Sequence, residues 1–89
     1  MELSSIQFDR FKLLLDQTYT WPTQYVFKFI IKESELALAQ QVFQEEELVL
    51  KGSATGKYVS ISITKDVHSS DDVILMYKRA VLIPGVMGL

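Results

Sequence analysis

The order of elements predicted from the sequence is that of a small α+β domain: one short helix, then strand–helix–strand twice over. Three observations predict it. Residues 25–31 and 58–64 are dense in aromatic and β-branched side chains, which favour strands. An amphipathic stretch at helical spacing follows each of them. Proline and glycine then punctuate the boundaries, at Pro22, Gly52, Gly56 and Pro84-Gly85. A chain of 89 residues is long enough for one such domain and too short for two.

The first helix is predicted over residues 4–16. Phe8, Phe11 and Leu15 recur at spacings of three and four with Leu14 beside them, and Ser4 or Ser5 can cap it. Trp21-Pro22-Thr23 ends that segment, because a proline drives the residue before it toward an extended backbone. In the strand at 25–31, alternation puts Tyr25, Phe27, Phe29 and Ile31 on one face and Val26, Lys28 and Ile30 on the other. The first face is bulkier and is assigned to the core. Residues 34–45 read as a helix with Leu36, Ala39 and Phe43 in one stripe, and Glu33 and Glu35 suit its positive end. Residues 47–51 read as a short strand with Leu48 and Leu50 inward. The run Glu45-Glu46-Glu47 before it reads as a solvated helix end.

A small flexible loop, Gly52 to Gly56, leads through Lys57 into the clearest alternation in the chain. Val59, Ile61 and Ile63 point one way, and Tyr58, Ser60, Ser62 and Thr64 the other. Ser69 then caps a last helix running to about Leu82, with Asp72 three residues on in a capping-box pattern. Val73, Met76, Tyr77 and Ala80 form its stripe. Residues 86–89 supply a final short strand. Two strand–helix–strand passes of similar length predict a ferredoxin-like β-α-β-β-α-β sandwich, a four-stranded antiparallel sheet with two helices on one face. Residues 1–20 are the N-terminal helix and its connector, and 21–89 the sandwich.

Those residues carry a family resemblance. Trp21-Pro22-Thr23 with Tyr25-Val26-Phe27-Lys28 resembles the lead-in and first strand of the YbeD-like family of small uncharacterised bacterial proteins. Ser53, Gly56, Tyr58, Ser60 and Ser62 resemble its serine–glycine–tyrosine–serine segment. Val73, Tyr77, Ile83-Pro84-Gly85-Val86 and Leu89 resemble its final helix and strand. The resemblance covers residues 13–89 through spaced identities. It implies a ferredoxin-like fold akin to ACT-type regulatory domains, and it brings neither an activity nor site residues. The ACT-type ligand loop favours glycine, whereas this chain has Lys32-Glu33-Ser34-Glu35 at that place.

Composition narrows the functions on offer. The chain is 48% hydrophobic and 22% charged with a net charge of −2, which suits a folded domain and supplies no general basic footprint for nucleic acid. It has no cysteine, so thiolate metal sites and thiol nucleophiles are excluded. No run approaches the roughly 18 apolar residues of a membrane helix, and no signal peptide is evident, so a cytoplasmic protein is expected. Neither cofactor nor metal is expected.

Gly52 to Lys57 falls one residue short of a phosphate loop, has Tyr58 in place of the magnesium-binding hydroxyl, and opens a strand where that site needs a helix. Its candidate binding residues are Ser53, Gly56 and Lys57. His68 is the only histidine, and Asp66, Asp71 and Asp72 near it read as turn and cap residues. The sheet face away from the helices is the main candidate, through Val26, Lys28, Ile30, Val49, Tyr58, Ser60 and Ser62. An apolar face of that size calls for a cover. The N-terminal helix, a protein partner, a second copy of the chain and a small ligand are the alternatives. Two further readings stand behind the binding module. One is an enzyme or enzyme accessory using Lys28 with Ser60 or Ser62. The other is a nucleic-acid binder using Tyr58, which lacks the second aromatic that base stacking on such sheets employs and is expected to lack basic charge.

Overall fold

The computed structural model describes residue 3 and residues 6–89. Helix α1 spans Phe8–Thr18, strand β1 Thr23–Lys32, helix α2 Leu36–Val42, strand β2 Val49–Gly52, strand β3 Tyr58–Val67, helix α3 Ser70–Ala80 and strand β4 Met87–Gly88. A 3₁₀ turn, Glu33–Glu35, joins β1 to α2. The strands form one antiparallel sheet in the order β2-β3-β1-β4. The long central pair, β1 and β3, runs in register from Thr23 opposite Val67 to Lys32 opposite Tyr58. Trp21-Pro22, just before β1, is a cis peptide.

Alternation sorts the sheet into two faces. Phe27, Phe29 and Ile31 of β1 and Val59, Ile61 and Ile63 of β3 are buried on the helical side. There they meet Ala39 of α2, Phe43 just beyond its end, and Val73, Met76, Tyr77 and Ala80 of α3, the stripes expected from the sequence. Phe29 stacks on Phe43 at 5.7 Å, and Tyr77 meets Phe27 at 5.8 Å and Phe29 at 5.4 Å. The Ser69 hydroxyl accepts the Asp72 amide at 3.4 Å and caps α3. The Asp72 carboxylate accepts the His68 amide at 2.8 Å, one residue earlier than in a capping box.

Several expected boundaries shift. The predicted cap at Ser4 or Ser5 lies outside the described residues, and α1 starts at Phe8 with Gln7 as its cap. It runs past Asp16 to Thr18. The helix expected over 34–45 is a 3₁₀ turn followed by the short α2, so Glu45 to Glu47 sit in the turn beyond it. Glu46 there is held by Lys65, whose ammonium donates to both carboxylate oxygens at 2.9 and 3.1 Å. This acid is a tether between the turn and β3, where a solvated helix end was expected. Leu50 lies opposite Ile61 on the helical side, as expected, yet it is 40% exposed. It stands on an edge strand, where a neighbouring strand covers it from one side only. β1 and β3 are each longer than expected, and α3 ends at Ala80.

Helix α1 packs on α3. Leu15 is buried, and Phe11 meets the Tyr77 ring edge-on at 5.0 Å. Lys78 lies over the Phe8 ring at 5.4 Å. Lys12 donates to Asp71 at 2.8 Å and to Ser70 at 3.1 Å. All three helices therefore share one side of the sheet. Among the described residues, no helix is long and apolar enough to cross a membrane.

Candidate functional site

Because α1 joins the helical layer, nothing among the described residues lies across the other sheet face. Register lays that face out in rows. Val49, Ser62 and Lys28 align from β2 through β3 to β1, and Leu89 ends the row by donating its amide to the Lys28 carbonyl at 3.0 Å. The next row is Lys51, Ser60, Ile30 and Met87. Tyr58 and Lys32 close one end, while Thr64 with Val26, then Asp66 with Gln24, lead to the other. Val26 is 51%, Val49 65% and Leu89 71% exposed. Met87 and Tyr58 are also well exposed.

Charge on this face is one-sided. The strands contribute Lys28, Lys32 and Lys51 against a single acid, Asp66. Among the described residues, ion pairs occupy Lys12 and Lys65 on the helical side, and none joins Lys28, Lys32, Lys51 or Lys57. A chain with a net charge of −2 thus turns a basic surface outward from its sheet, where composition led to the expectation of no basic charge, because alternation and edge-strand pairing gather its lysines on one face.

The predicted site residues divide into two groups. Val26, Lys28, Ile30, Val49, Tyr58, Ser60 and Ser62 do share the open face. Lys28 faces Ser62 in register but is joined by no hydrogen bond to it or to Ser60, and the Ser60 hydroxyl donates instead to the Lys51 carbonyl at 3.4 Å. The loop residues are partly structural. The Ser53 carbonyl accepts the Gly56 amide at 3.1 Å, closing a β-turn, and its hydroxyl accepts the Tyr58 amide at 3.2 Å. Gly56 follows with φ +73°, a left-handed value that glycine adopts freely.

Gly56, Lys57 and Tyr58 also line a cleft of about 420 Å³ with Lys32, Glu33 and Ser34. A smaller depression of about 150 Å³, lined by Ile30, Lys51, Gly52, Ser53, Tyr58 and Ser60, shares Tyr58 with it. His68 is exposed beside Pro22, Thr23, Gln24 and Asp66 at the opposite end, and no cluster of metal-ligating side chains forms among the described residues.

The sequence reading missed Lys32, Lys51, Met87 and Leu89. The period-two alternation of Val26, Lys28 and Ile30 reaches Lys32 if β1 is extended by one residue. Lys51, Met87 and Leu89 needed the pairing of the edge strands, which no local pattern supplies.

The tyrosine hydroxyls within the core have no comparable role. Tyr25 and Tyr77 face each other at 3.4 Å, and burial pushes the pKa of each upward. Both stay protonated as a structural pair. No protein-family model matches the chain, and no match was found among curated proteins or among solved structures.

Proposed function

We propose that the chain is a small binding module that docks an acidic protein surface on the open face of its sheet. The observation that carries this reading is the set Lys28, Lys32 and Lys51, in no ion pair among the described residues, on a face that also exposes Val26, Val49, Met87 and Leu89. Apolar area of this kind favours contact, and the lysines select the sign of the surface that meets it. Two copies pairing face to face would set the lysines against their own images, which opposes a homodimer through this face. We read the fold as ferredoxin-like. In support, β1 and β2 are parallel with β3 between them, and β3 and β4 are parallel with β1 between them, as two interleaved β-α-β units require. The YbeD-like family and a cytoplasmic setting are the working assignment that goes with it.

The test is affinity capture from lysate with the full chain and with a Lys28→Glu, Lys51→Glu variant, at low and high salt. An acidic partner held by the first, lost by the second and released by salt supports the reading. Capture that ignores both changes, or a wild-type chain that sedimentation shows to be a dimer broken by these substitutions, overturns it.

A further inference from the structure

The cleft at the Tyr58 end of the sheet shares Lys32 and Lys51 with the docking face and adds Glu33, Ser34, Gly56 and Lys57, which docking of a protein surface leaves unused. It is built by the backbone. The Glu33 amide donates to the Lys57 carbonyl at 2.8 Å and clamps the β2–β3 loop to the end of β1. Register then sets Lys32 opposite Tyr58. The Ser53–Gly56 turn presents Gly56 with open space where a Cβ would stand. The result is two adjoining depressions that share Tyr58 in their linings. The larger, about 420 Å³, is lined by Lys32, Lys57 and Ser34, with Glu33 its single acid among the described residues. The smaller, about 150 Å³, is lined by Ile30, Ser60 and Lys51 beside Tyr58.

We infer that this two-lobed cleft binds a nucleoside monophosphate, its phosphate in the Lys32–Lys57 lobe and its planar base against Tyr58 over Ile30. The larger lobe is within the ordinary size of small-ligand sites, about 300–1,000 Å³. Lys32, Lys57 and Lys51 have no ion-pair partner among the described residues, so an incoming anion displaces no internal carboxylate. Two lysines against one glutamate in the lining leave a positive surplus, and a compact dianion answers it better than a single carboxylate does. Lysines act as point charges without the fork that picks out a planar carboxylate, which again suits phosphate. The exposed Tyr58 ring offers a stacking surface that any base can use. The site is no phosphate loop, since its amides belong to a hairpin turn and a strand.

The full chain is titrated with adenosine monophosphate while the amide resonances of residues 30–34 and 51–60 are followed. Inorganic phosphate and adenosine are titrated separately as the two halves. Saturable shifts confined to those segments are expected, with the nucleotide binding at least about tenfold more tightly than either half. Lys57→Ala weakens binding by about tenfold or more, and Glu33→Gln strengthens it because a like charge leaves the lobe. Tyr58→Ala erases the advantage over inorganic phosphate while phosphate binding persists. Lys28→Glu, outside both lobes, leaves nucleotide binding intact even where it abolishes protein capture. The inference is overturned by the absence of saturable shifts. Affinities that neither Lys57→Ala nor Glu33→Gln moves overturn it, as does phosphate binding as well as the nucleotide. Tighter binding of a 5′-phosphorylated oligonucleotide than of the mononucleotide also overturns it. Glu33→Gln predicts a gain, so a variant that merely fails to fold cannot imitate it.

Discussion

Leu15 is the side chain through which the placement of α1 is tested most directly. It is 3% exposed, whereas its neighbour Leu14 is 59% exposed. Leu15→Ala removes a buried isobutyl group and leaves a cavity beside α3, and such changes cost about 2–5 kcal/mol. Leu14→Ala removes a side chain already in water and is expected to stay within about 0.5 kcal/mol of the parent. In a domain of this size about 1 kcal/mol moves the Tm by roughly 4–8 °C, so Leu15→Ala should lower it by roughly 8–40 °C. Urea unfolding followed by circular dichroism gives the free energies, and an unchanged m-value shows that the change is one of stability. If Leu15→Ala unfolds within about 0.5 kcal/mol of the parent, or Leu14→Ala costs more than Leu15→Ala, then α1 is not seated on the helical layer through Leu15. The open face would then lose its claim to be uncovered.

The polar attachments of α1 give a pH dependence with a definite sign. Asp16 has its pKa lowered by the Ser70 hydroxyl and then the Trp21 indole, which donates to it at 2.9 Å. A lowered folded-state value means that the unfolded chain binds more protons, so this contribution is present above the ordinary carboxylate range and is lost as pH falls through it. The stability gap between the parent and Asp16→Asn, measured by urea unfolding across a pH series, should therefore close on the acid side. A gap that widens there would refute the assignment. Lys12 is raised chiefly by its hydrogen bond to Asp71, so its contribution is present below the ordinary lysine value and lost as pH rises beyond it. Ser69→Ala removes the cap of α3 and should cost about 1 kcal/mol by the same unfolding assay, with Ser69→Asp largely restoring it.

The helical side of the sheet was legible because it obeys two simple periods. Phe27, Phe29, Ile31, Val59, Ile61 and Ile63 alternate, and Val73, Met76, Tyr77 and Ala80 recur at helical spacing, so pattern alone places them in one core. The same alternation named the members of the open face on β1 and β3. What it left open was the destination of α1. An apolar stripe of Phe8, Phe11 and Leu15 fits either side of a sheet, and the choice is made by long-range contacts, Phe11 with Tyr77 and Lys12 with Asp71. The length of α2 was also hidden. Helical pattern continues to Phe43, but Arg79 donates to the Val42 carbonyl at 3.0 Å and stands over the Phe43 ring, and the chain turns there. The cleft at Tyr58 was half legible. Ser53, Gly56 and Lys57 were singled out for their likeness to a phosphate loop, while Lys32 and Ser34 join them only through the fold.

The layout of the open face bears on the kind of contact it can make. Ordinary protein interfaces place apolar residues at the centre and polar ones at the rim. Here the two are interleaved. Val49 stands on one edge strand beside Lys51, Met87 and Leu89 lie along the other edge, and the central pair mixes Lys28, Ser60 and Ser62 with Val26 and Ile30. A partner broad enough to cover both apolar edges must pass over Lys28. Removing that ammonium from water costs several kcal/mol unless an opposite charge meets it. A purely apolar partner is therefore penalised at the middle of the face, whatever it gains at the margins. An acidic group held opposite Lys28 satisfies the centre and allows the edges to be buried. The same lysine that makes the face soluble when free thus sets the charge of what can close over it.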